Sequence, residues 1–220
     1  MRDAPDLTVV KLGGSQAFSS HLPDWLDALA HCAGRVVVAP GGGPFADAVR
    51  TAQPKMGFDD DAAHHMALLA MDQYGRALVS LNAAFALADS ASAIGDMLAG
   101  GKVPVWSPTA MVLAAKDIPY SWEVTGDSLA AWLAGHIGAK RLLLVKHVEL
   151  SSERVAVADL VARGIVDPAF PRFFDASGVE ASIIGPAGHA AAAAALRSGA
   201  MIGRRIVLER FPVSHHHERL

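Results

Sequence analysis

One cysteine, Cys32, is present among the 220 residues of the chain. A disulfide within the chain is therefore impossible, and a zinc site built from several cysteines is excluded as well. No uncharged apolar run reaches the roughly 18 residues that a membrane helix needs, and the first residues lack the apolar segment of a signal peptide. These absences lead us to expect a protein of the reducing cytoplasm that does not bind a membrane.

An excess of positive charge is also absent. The chain has 19 Lys and Arg residues against 22 Asp and Glu residues, and its pI is about 6.3. Because surfaces that bind nucleic acid are usually basic, this balance argues against a nucleic-acid partner. Hydrophobic residues make up 52% of the chain, which excludes intrinsic disorder and, at this length, predicts a single domain with a substantial core.

Short apolar runs rich in Val, Ile and Leu recur along the chain and are bounded by Gly or Pro. They are continuously apolar rather than alternating, which is typical of parallel strands buried on both faces. The predicted strands are 7–12, 35–39, 103–106, 141–146, 181–184 and 205–208.

Helical patterns lie between these runs. The predicted helices are 23–32, 61–81, 90–98, 128–136 and 189–197. The acidic run Asp59, Asp60 and Asp61 stands where it would cap the second of them. Because strands and helices alternate, we predict an α/β fold, a three-layer α/β/α sandwich with a mostly parallel central sheet and a polar tail at 214–220.

The first candidate site follows the first strand, where Lys11 precedes Gly13, Gly14 and Ser15. Glycines let a ligand approach the backbone closely. Successive N–H groups and a following helix N-terminus suit phosphate oxygens, and Lys11 would add a full charge. The alternative interpretation is an ordinary strand-to-helix turn with a solvated lysine.

A second glycine run, Gly41, Gly42 and Gly43, comes directly after the second predicted strand. Three ordered glycines cost backbone entropy, so a fold that keeps them there usually lets something approach the main chain. Ligands of open α/β sheets bind at the carboxyl ends of strands. Two such loops after the first two strands therefore favour a binding site over a flexible loop.

Two further segments could contribute charge at the same edge. Thr125 or Asp127 could cap the helix that follows, or Asp127 could orient Lys11 or a metal-bound water. Lys146 ends a fully apolar strand and could supply a second cation, although an extended lysine that reaches solvent fits this segment equally well.

Several enzyme classes lack their motifs here. There is no GxxxxGK[ST] segment of a P-loop NTPase and no GxGxxG spacing of a dinucleotide-binding fold. No Ser, His and Asp arrangement suggests a hydrolase. His64 and His65 are adjacent on a helix and face different directions, so we predict no metal ligands in the chain.

The ordered motifs resemble the amino acid kinase superfamily. The segment Lys11-x-Gly13-Gly14-Ser15 is similar to its first glycine loop, and Gly41-Gly42-Gly43 is similar to the second, which holds the phosphoryl acceptor. Residues 125–134, TGDSLAAWLA, resemble its (S/T/N)xDxxAxxxA segment. The resemblance covers about the first 150 residues and implies that family's three-layer fold.

One branch of that superfamily is more similar. Residues 121–134, SWEVTGDSLAAWLA, resemble the SWxVTSDSxAAWLA signature of small kinases of methanofuran biosynthesis, and residues 71–75 are also similar. This resemblance implies ATP-dependent phosphorylation of an aminomethylfuranyl-methyl phosphate to its diphosphate. It also implies an acceptor-side lobe at about 1–139, a nucleotide-side lobe at about 140–213, and a homo-oligomer.

The resemblance assigns roles to the candidate residues. Lys11, Asp127 and Lys146 would be catalytic, and Mg²⁺ would accompany ATP. The phosphates of ATP would contact Lys11, Gly13, Gly14, Ser15 and Lys146. The acceptor would contact Gly41, Gly42, Gly43, Trp122, Thr125 and Asp127.

The chain also departs from the superfamily pattern. It reads VKHVEL at 145–150, where many members carry Thr-Asp-Val-Asp-Gly, and nothing between 167 and 187 matches the Gly-Gly-Met-x-x-Lys segment. Lys146 takes the place of that second lysine by position. Gly126 stands where the branch signature has serine, so any contact from that hydroxyl is lost.

Two alternatives stay open at this stage. The acceptor could be uridylate-like, with Arg50 and Arg76 available for its phosphate, or an amino-acid carboxylate. The chain could instead bind a nucleotide or oxyanion without catalysing transfer, because the nucleotide-side motifs are altered.

Overall fold

The computed structural model describes residues 6–148 and 150–208, which form one eight-stranded sheet with helices on both faces. The strands are β1 Thr8–Leu12, β2 Val36–Pro40, β3 Phe85–Ala88, β4 Val103–Trp106, β5 Arg141–Val145, β6 Arg154–Ala156, β7 Glu180–Ile184 and β8 Arg204–Val207. The helices are α1 Leu22–Ala30, α2 Gly43–Met56, α3 Asp60–Leu81, α4 Ala91–Ala99, α5 Thr109–Ala114, α6 Gly126–His136, α7 Val157–Ala162, α8 Phe170–Ser177 and α9 His189–Ser198.

The sheet has the strand order β3-β4-β2-β1-β5-β7-β8-β6. Every neighbouring pair is parallel except β7 and β8. β1 is central and pairs with β2 on one side and β5 on the other, so that Lys11 lies in register with Ala39 and Leu144. The strand order changes direction at β1, with β2 on one side and β5 on the other. In open α/β sheets a crevice forms at such a point, at the carboxyl ends of the strands.

The two faces of the sheet form two cores. Val9 packs on the face that carries α6 and α8, where Phe170 is fully buried. Val10 packs on the opposite face with α1 and α9, where Trp25 is fully buried. Successive residues of a strand point to opposite faces, so an unbroken apolar strand feeds both cores. The predicted three-layer α/β/α fold is confirmed.

The predicted strands and helices are present to within two residues at each end. Asp59 caps α3 as predicted, and its carboxylate accepts a hydrogen bond from the Ala62 N–H at 2.9 Å. The sequence interpretation missed α2, α5, α7, α8, β3 and β6. Gly43 belongs to α2 rather than to a loop, and this largely polar helix, which contains Pro54, gives a weak apolar pattern.

A short 3-10 turn at Gly14–Gln16 follows β1 and packs against the start of α2. The two glycine runs touch through their backbones. A Cβ added to Gly14 would lie 2.4 Å from the backbone N of Gly43, and one added to Gly41 would lie 2.5 Å from the backbone N of Gly14. Glycine is therefore required there by close approach.

Across residues 6–148 and 150–208, no helix combines the length and the apolar character needed to cross a membrane. The predicted tail at 214–220 lies outside the described residues.

We expect Gly14→Ala to lower the free energy of unfolding by about 1–3 kcal/mol, because the methyl group must push two backbones apart. Gly95→Ala is the matched control. Gly95 lies inside α4 with nothing within 4 Å of an added Cβ, so alanine there should raise stability by about 0.5–1 kcal/mol. Urea unfolding of both variants measures the difference, and an unchanged midpoint for Gly14→Ala would contradict the close packing of the loops.

Candidate active site

A cleft of about 440 Å³ opens at the carboxyl ends of β1, β2 and β5. The predicted site residues surround it, apart from Asp127, which lies beneath. The predicted residues that line the cleft are Lys11, Gly13, Gly14, Ser15, Gly41, Gly42, Gly43, Trp122, Thr125 and Lys146. Arg50 also lines it, whereas Arg76 is exposed on α3 and does not.

The floor of the cleft holds three charged side chains. Asp127, in the first turn of α6, is buried, and its Oδ1 lies 3.0 Å from the Nζ of Lys11. Lys146 directly follows β5, and its Nζ donates a hydrogen bond to Oδ2 of the same carboxylate at 2.7 Å. One aspartate therefore bridges two lysines from neighbouring strands, and the cluster has a net positive charge.

Burial and charge shift the protonation of this cluster in known directions. Burial raises the pKa of Asp127, but Lys11 and Lys146 together outweigh that effect and hold the pKa below its usual value. Burial and the neighbouring Lys11 charge lower the pKa of Lys146 to about 8, although Asp127 opposes them. Asp127 is thus a carboxylate at neutral pH, and Lys146 is a cation that loses its proton in mildly alkaline solution.

Lys11 can lie close to the start of α6 because residue 126 is a glycine and has no side chain. A Cβ at this position would lie 3.3 Å from Cε of Lys11 and 3.6 Å from the Cα of Gly41. The serine of the branch signature would therefore place its hydroxyl among these groups. In this chain the lysine stem and the second glycine loop occupy that corner.

The glycine loops form the wall above the lysines. The Gly41 N–H donates to the Leu12 carbonyl at 2.8 Å, which ties the second loop to the end of β1. Gly42 is the N-cap of α2 and no side chain caps that helix. The free N–H groups at a helix N-terminus favour anions, so this wall suits a phosphate group.

The start of α6 is fixed by a residue that the sequence interpretation missed. Thr125 is the N-cap but makes no capping bond with its own side chain. Instead, the Thr125 and Ser128 N–H groups donate to Oδ2 of Asp167 at 3.2 and 3.0 Å, and the Thr125 hydroxyl donates to it at 2.8 Å. Thr125 thus holds the predicted N-cap position, but the capping hydrogen bonds come from Asp167 rather than from Thr125 or Asp127. No local pattern marks Asp167, 39 residues beyond Ser128.

Trp122 stands at the outer wall, where its indole N–H donates to the Gln53 side chain at 2.6 Å. The Arg50 guanidinium lies over its ring, 4.6 Å from the centroid. Deeper in the cleft, His64 of α3 is buried and stacks on Tyr120 with 4.4 Å between the ring centres. The sequence predicts no metal-ligand role for His64, and the structure places this residue in the lining of the cleft.

Comparisons with known proteins identify relatives of this chain in sequence and in fold. A curated relative, "[5-(aminomethyl)furan-3-yl]methyl phosphate kinase" of Methanocaldococcus jannaschii, is 24% identical over 145 residues. That match covers 64% of this chain and 66% of the relative, so the matched region spans slightly less than two thirds of the relative's own length.

Solved structures with a similar fold are more distant in sequence. Uridylate kinase from Archaeoglobus fulgidus has a TM-score of 0.69 at 18% identity, with 91% of this chain and 100% of that chain covered. UMP kinase from Bacillus anthracis has a TM-score of 0.69 at 13% identity, with 94% and 98% covered. At these identities the likeness concerns the fold alone.

A family model provides the assignment. The model of the amino acid kinase family matches residues 6–152, which contain both glycine loops and the bridged lysines. This match covers more than half of the chain. The chain belongs to the amino acid kinase family.

Proposed function

We propose that this chain transfers the γ-phosphoryl group of ATP to a small acceptor that already carries a phosphate. The observation that carries the proposal is the buried carboxylate of Asp127 between Lys11 and Lys146, placed below two glycine loops. Phosphoryl transfer depends mainly on positioning and on charge stabilisation, and this cluster offers both.

The reaction follows from these parts. An oxygen of the acceptor phosphate attacks the γ-phosphorus, the bond to the β,γ-bridging oxygen breaks, and ADP and the acceptor diphosphate leave. Lys11 and Lys146 stabilise the negative charge on the transferring group. Asp127 holds the two ammonium groups in place and reduces their mutual repulsion, so it acts as a positioning residue as well as a counter-ion.

We propose that the two substrates bind on different sides of the cleft. We assign the ATP phosphates to Gly13, Gly14, Ser15 and the lysines, and we assign the acceptor phosphate to the N-terminus of α2 at Gly41, Gly42 and Gly43. Of these proposed ATP contacts, only Lys146 lies in the predicted nucleotide part at about 140–213. Lys11 and the first glycine loop belong to the predicted acceptor part at about 1–139, so the ATP phosphates would lie between the two parts.

Mg²⁺ fits this site as a companion of ATP. It neutralises charge on the nucleotide phosphates and prefers oxygen ligands with several retained waters. Both oxygens of Asp127 already contact lysines at 3.0 and 2.7 Å. Asp127 would therefore hold the ion only through water, and the ion would supply charge neutralisation for the nucleotide phosphates.

We propose an aminomethylfuranyl-methyl phosphate as the acceptor. The activity named for the Methanocaldococcus jannaschii relative supports this choice. So does the cleft, in which apolar Leu68 and Met71 of α3 and Leu129 of α6 lie beside the phosphate wall. A compact ring that bears a methyl phosphate matches such a surface.

An ADP-release assay with MgATP and four acceptors tests the proposal: the aminomethylfuranyl-methyl phosphate, uridylate, acetylglutamate and carbamate. We expect turnover with the furan phosphate alone. Turnover with uridylate would change the assigned acceptor and keep the proposed reaction. Turnover with acetylglutamate or carbamate would also refute attack by an acceptor phosphate. ATP binding by calorimetry without turnover of any acceptor would contradict the kinase proposal and favour a nucleotide-binding protein.

We expect Lys11→Met to lower kcat by about 10²–10³, which is the usual cost of losing one charge-stabilising group. Methionine keeps the apolar stem and removes the ammonium. Lys55→Met is the control, because Lys55 is exposed near the end of α2 and does not line the cleft. Circular dichroism confirms folding, and wild-type turnover by a folded Lys11→Met protein would refute the role of Lys11.

The activity should also depend on the charge of Lys146. Because burial and Lys11 lower the pKa of Lys146 to about 8, its cation is present below that pH and lost above it. We expect kcat/KM to fall as the pH rises through this value. In Lys146→Arg the guanidinium stays charged up to about pH 12, so the fall should move to higher pH.

Lys140→Arg provides the comparison, because Lys140 is largely exposed and pairs with Asp6. The pH profile of that variant should match the wild type. An alkaline fall that stays at the same pH in Lys146→Arg would assign the titration to another group.

A further inference from the structure

One face of α3 forms the far wall of the cleft. Asp60, His64, Ala67, Leu68 and Met71 all line it, and their spacing is that of neighbouring turns along one side of a helix. The apolar members are in the middle and at the C-terminal part of this face. The two polar members, Asp60 and His64, lie one turn apart at its N-terminal end.

His64 is a polar group without a partner. Its side chain is buried, with the residue 6% exposed, and its Nε2 has no hydrogen-bond partner among the described residues. The stack on Tyr120 fixes the plane of the ring. Burial lowers the pKa of His64, so the imidazole is neutral at physiological pH and one ring nitrogen carries a lone pair. A buried polar atom without a partner is costly unless a ligand completes it.

The far wall also has an unbalanced negative charge. The carboxylate of Asp60 accepts a hydrogen bond from the neutral Gln53 amide at 2.8 Å, and within the described part of the chain it has no cationic partner. The nearby cation, Arg50, lies 3.6 Å from Asp47 and stacks on Trp122. This end of the cleft is therefore negative overall, while the end with Lys11 and Lys146 is positive.

We propose that the acceptor is a zwitterion whose phosphate binds the glycine loops and whose primary ammonium binds Asp60 and His64. This inference rests on the proposed kinase function and identifies the residues that select its acceptor. Asp60 supplies the opposite charge, and the neutral His64 accepts a hydrogen bond from the ammonium without repelling it. The rest of the substrate lies along Ala67, Leu68 and Met71.

Such an arrangement discriminates by charge. An acceptor with a neutral group at this end would leave Asp60 partly desolvated without a cation, and one without an N–H or O–H there would also leave His64 without its donor. A second anionic group would be repelled by Asp60. The site should therefore favour an amino-bearing phosphate over uridylate and over dicarboxylates.

The experiment compares two acceptors, the aminomethylfuranyl-methyl phosphate and its analogue with a hydroxymethyl group in place of the aminomethyl group. We expect Asp60→Asn to raise the KM of the amine about tenfold, the size expected for one charged hydrogen bond, with kcat preserved. The KM of the hydroxymethyl analogue should stay at the wild-type value, because that analogue makes no ion pair.

Asp61→Asn is the matched control. It removes the same charge from the same first turn of α3, and both carboxylates are exposed, but only Asp60 lines the cleft. The Asp61 charge raises the pKa of His64, so its removal keeps that imidazole neutral. We expect wild-type values for both acceptors. His64→Phe keeps a ring to stack on Tyr120 and removes both nitrogens. It should raise the KM of the amine more than that of the analogue, because a bond donated by an ammonium is stronger than one donated by a hydroxyl.

The outcomes separate this inference from the proposed function. Equal wild-type affinities for amine and analogue by calorimetry, or equal effects of Asp60→Asn on both KM values, would overturn the ammonium assignment and leave the kinase intact. Turnover of uridylate and of neither furan would overturn the ammonium assignment and the proposed acceptor together. The absence of turnover with every acceptor would refute the kinase function itself, while calorimetric preference for the amine would still uphold the assignment of Asp60 and His64.

Discussion

The contact between Asp127 and the two lysines is the constraint on which the cleft depends. Each buried charge would be costly alone, and the arrangement is tolerable because one carboxylate faces two ammonium groups at 3.0 and 2.7 Å. Three elements must meet for this to happen: β1, the end of β5 and the first turn of α6. The parallel register of β1 with β5 brings Lys11 and Lys146 to one edge, and α6 places the counter-ion between them.

The position of α6 depends on a residue that is far away in the sequence. Asp167 accepts hydrogen bonds from the N–H groups of Thr125 and Ser128, and it lies outside residues 6–152, which the family model matches. The C-terminal part of the chain thus holds the first turn that carries Asp127. The glycine loops add a second constraint, because Gly14 and Gly41 pack closely enough to exclude a side chain. The phosphate wall and the charged floor are in this way built as one unit.

The cleft is polarised along its length. Lys11, Lys146 and the N-terminus of α2 make one end positive, and Asp60 makes the other negative. The middle is apolar. A cleft with this sequence of surfaces favours a small ligand with a phosphate at one end and a cation at the other. In the reaction that we propose, electrostatics at both ends would orient the acceptor for in-line phosphoryl transfer.

The sequence by itself determined the α/β class, the central strands, the two glycine loops and the lysines at the sheet edge, because these features are local: apolar runs, glycine runs and residues at strand ends. It did not determine α2, whose polar pattern begins inside the glycine run, or the cap on α6. The tertiary structure decided these and placed Asp60 and His64 in the cleft. Ser128 and Asp167, for example, are 39 positions apart. A contact over that separation depends on how the helices pack against the sheet, and no local sequence pattern indicates it.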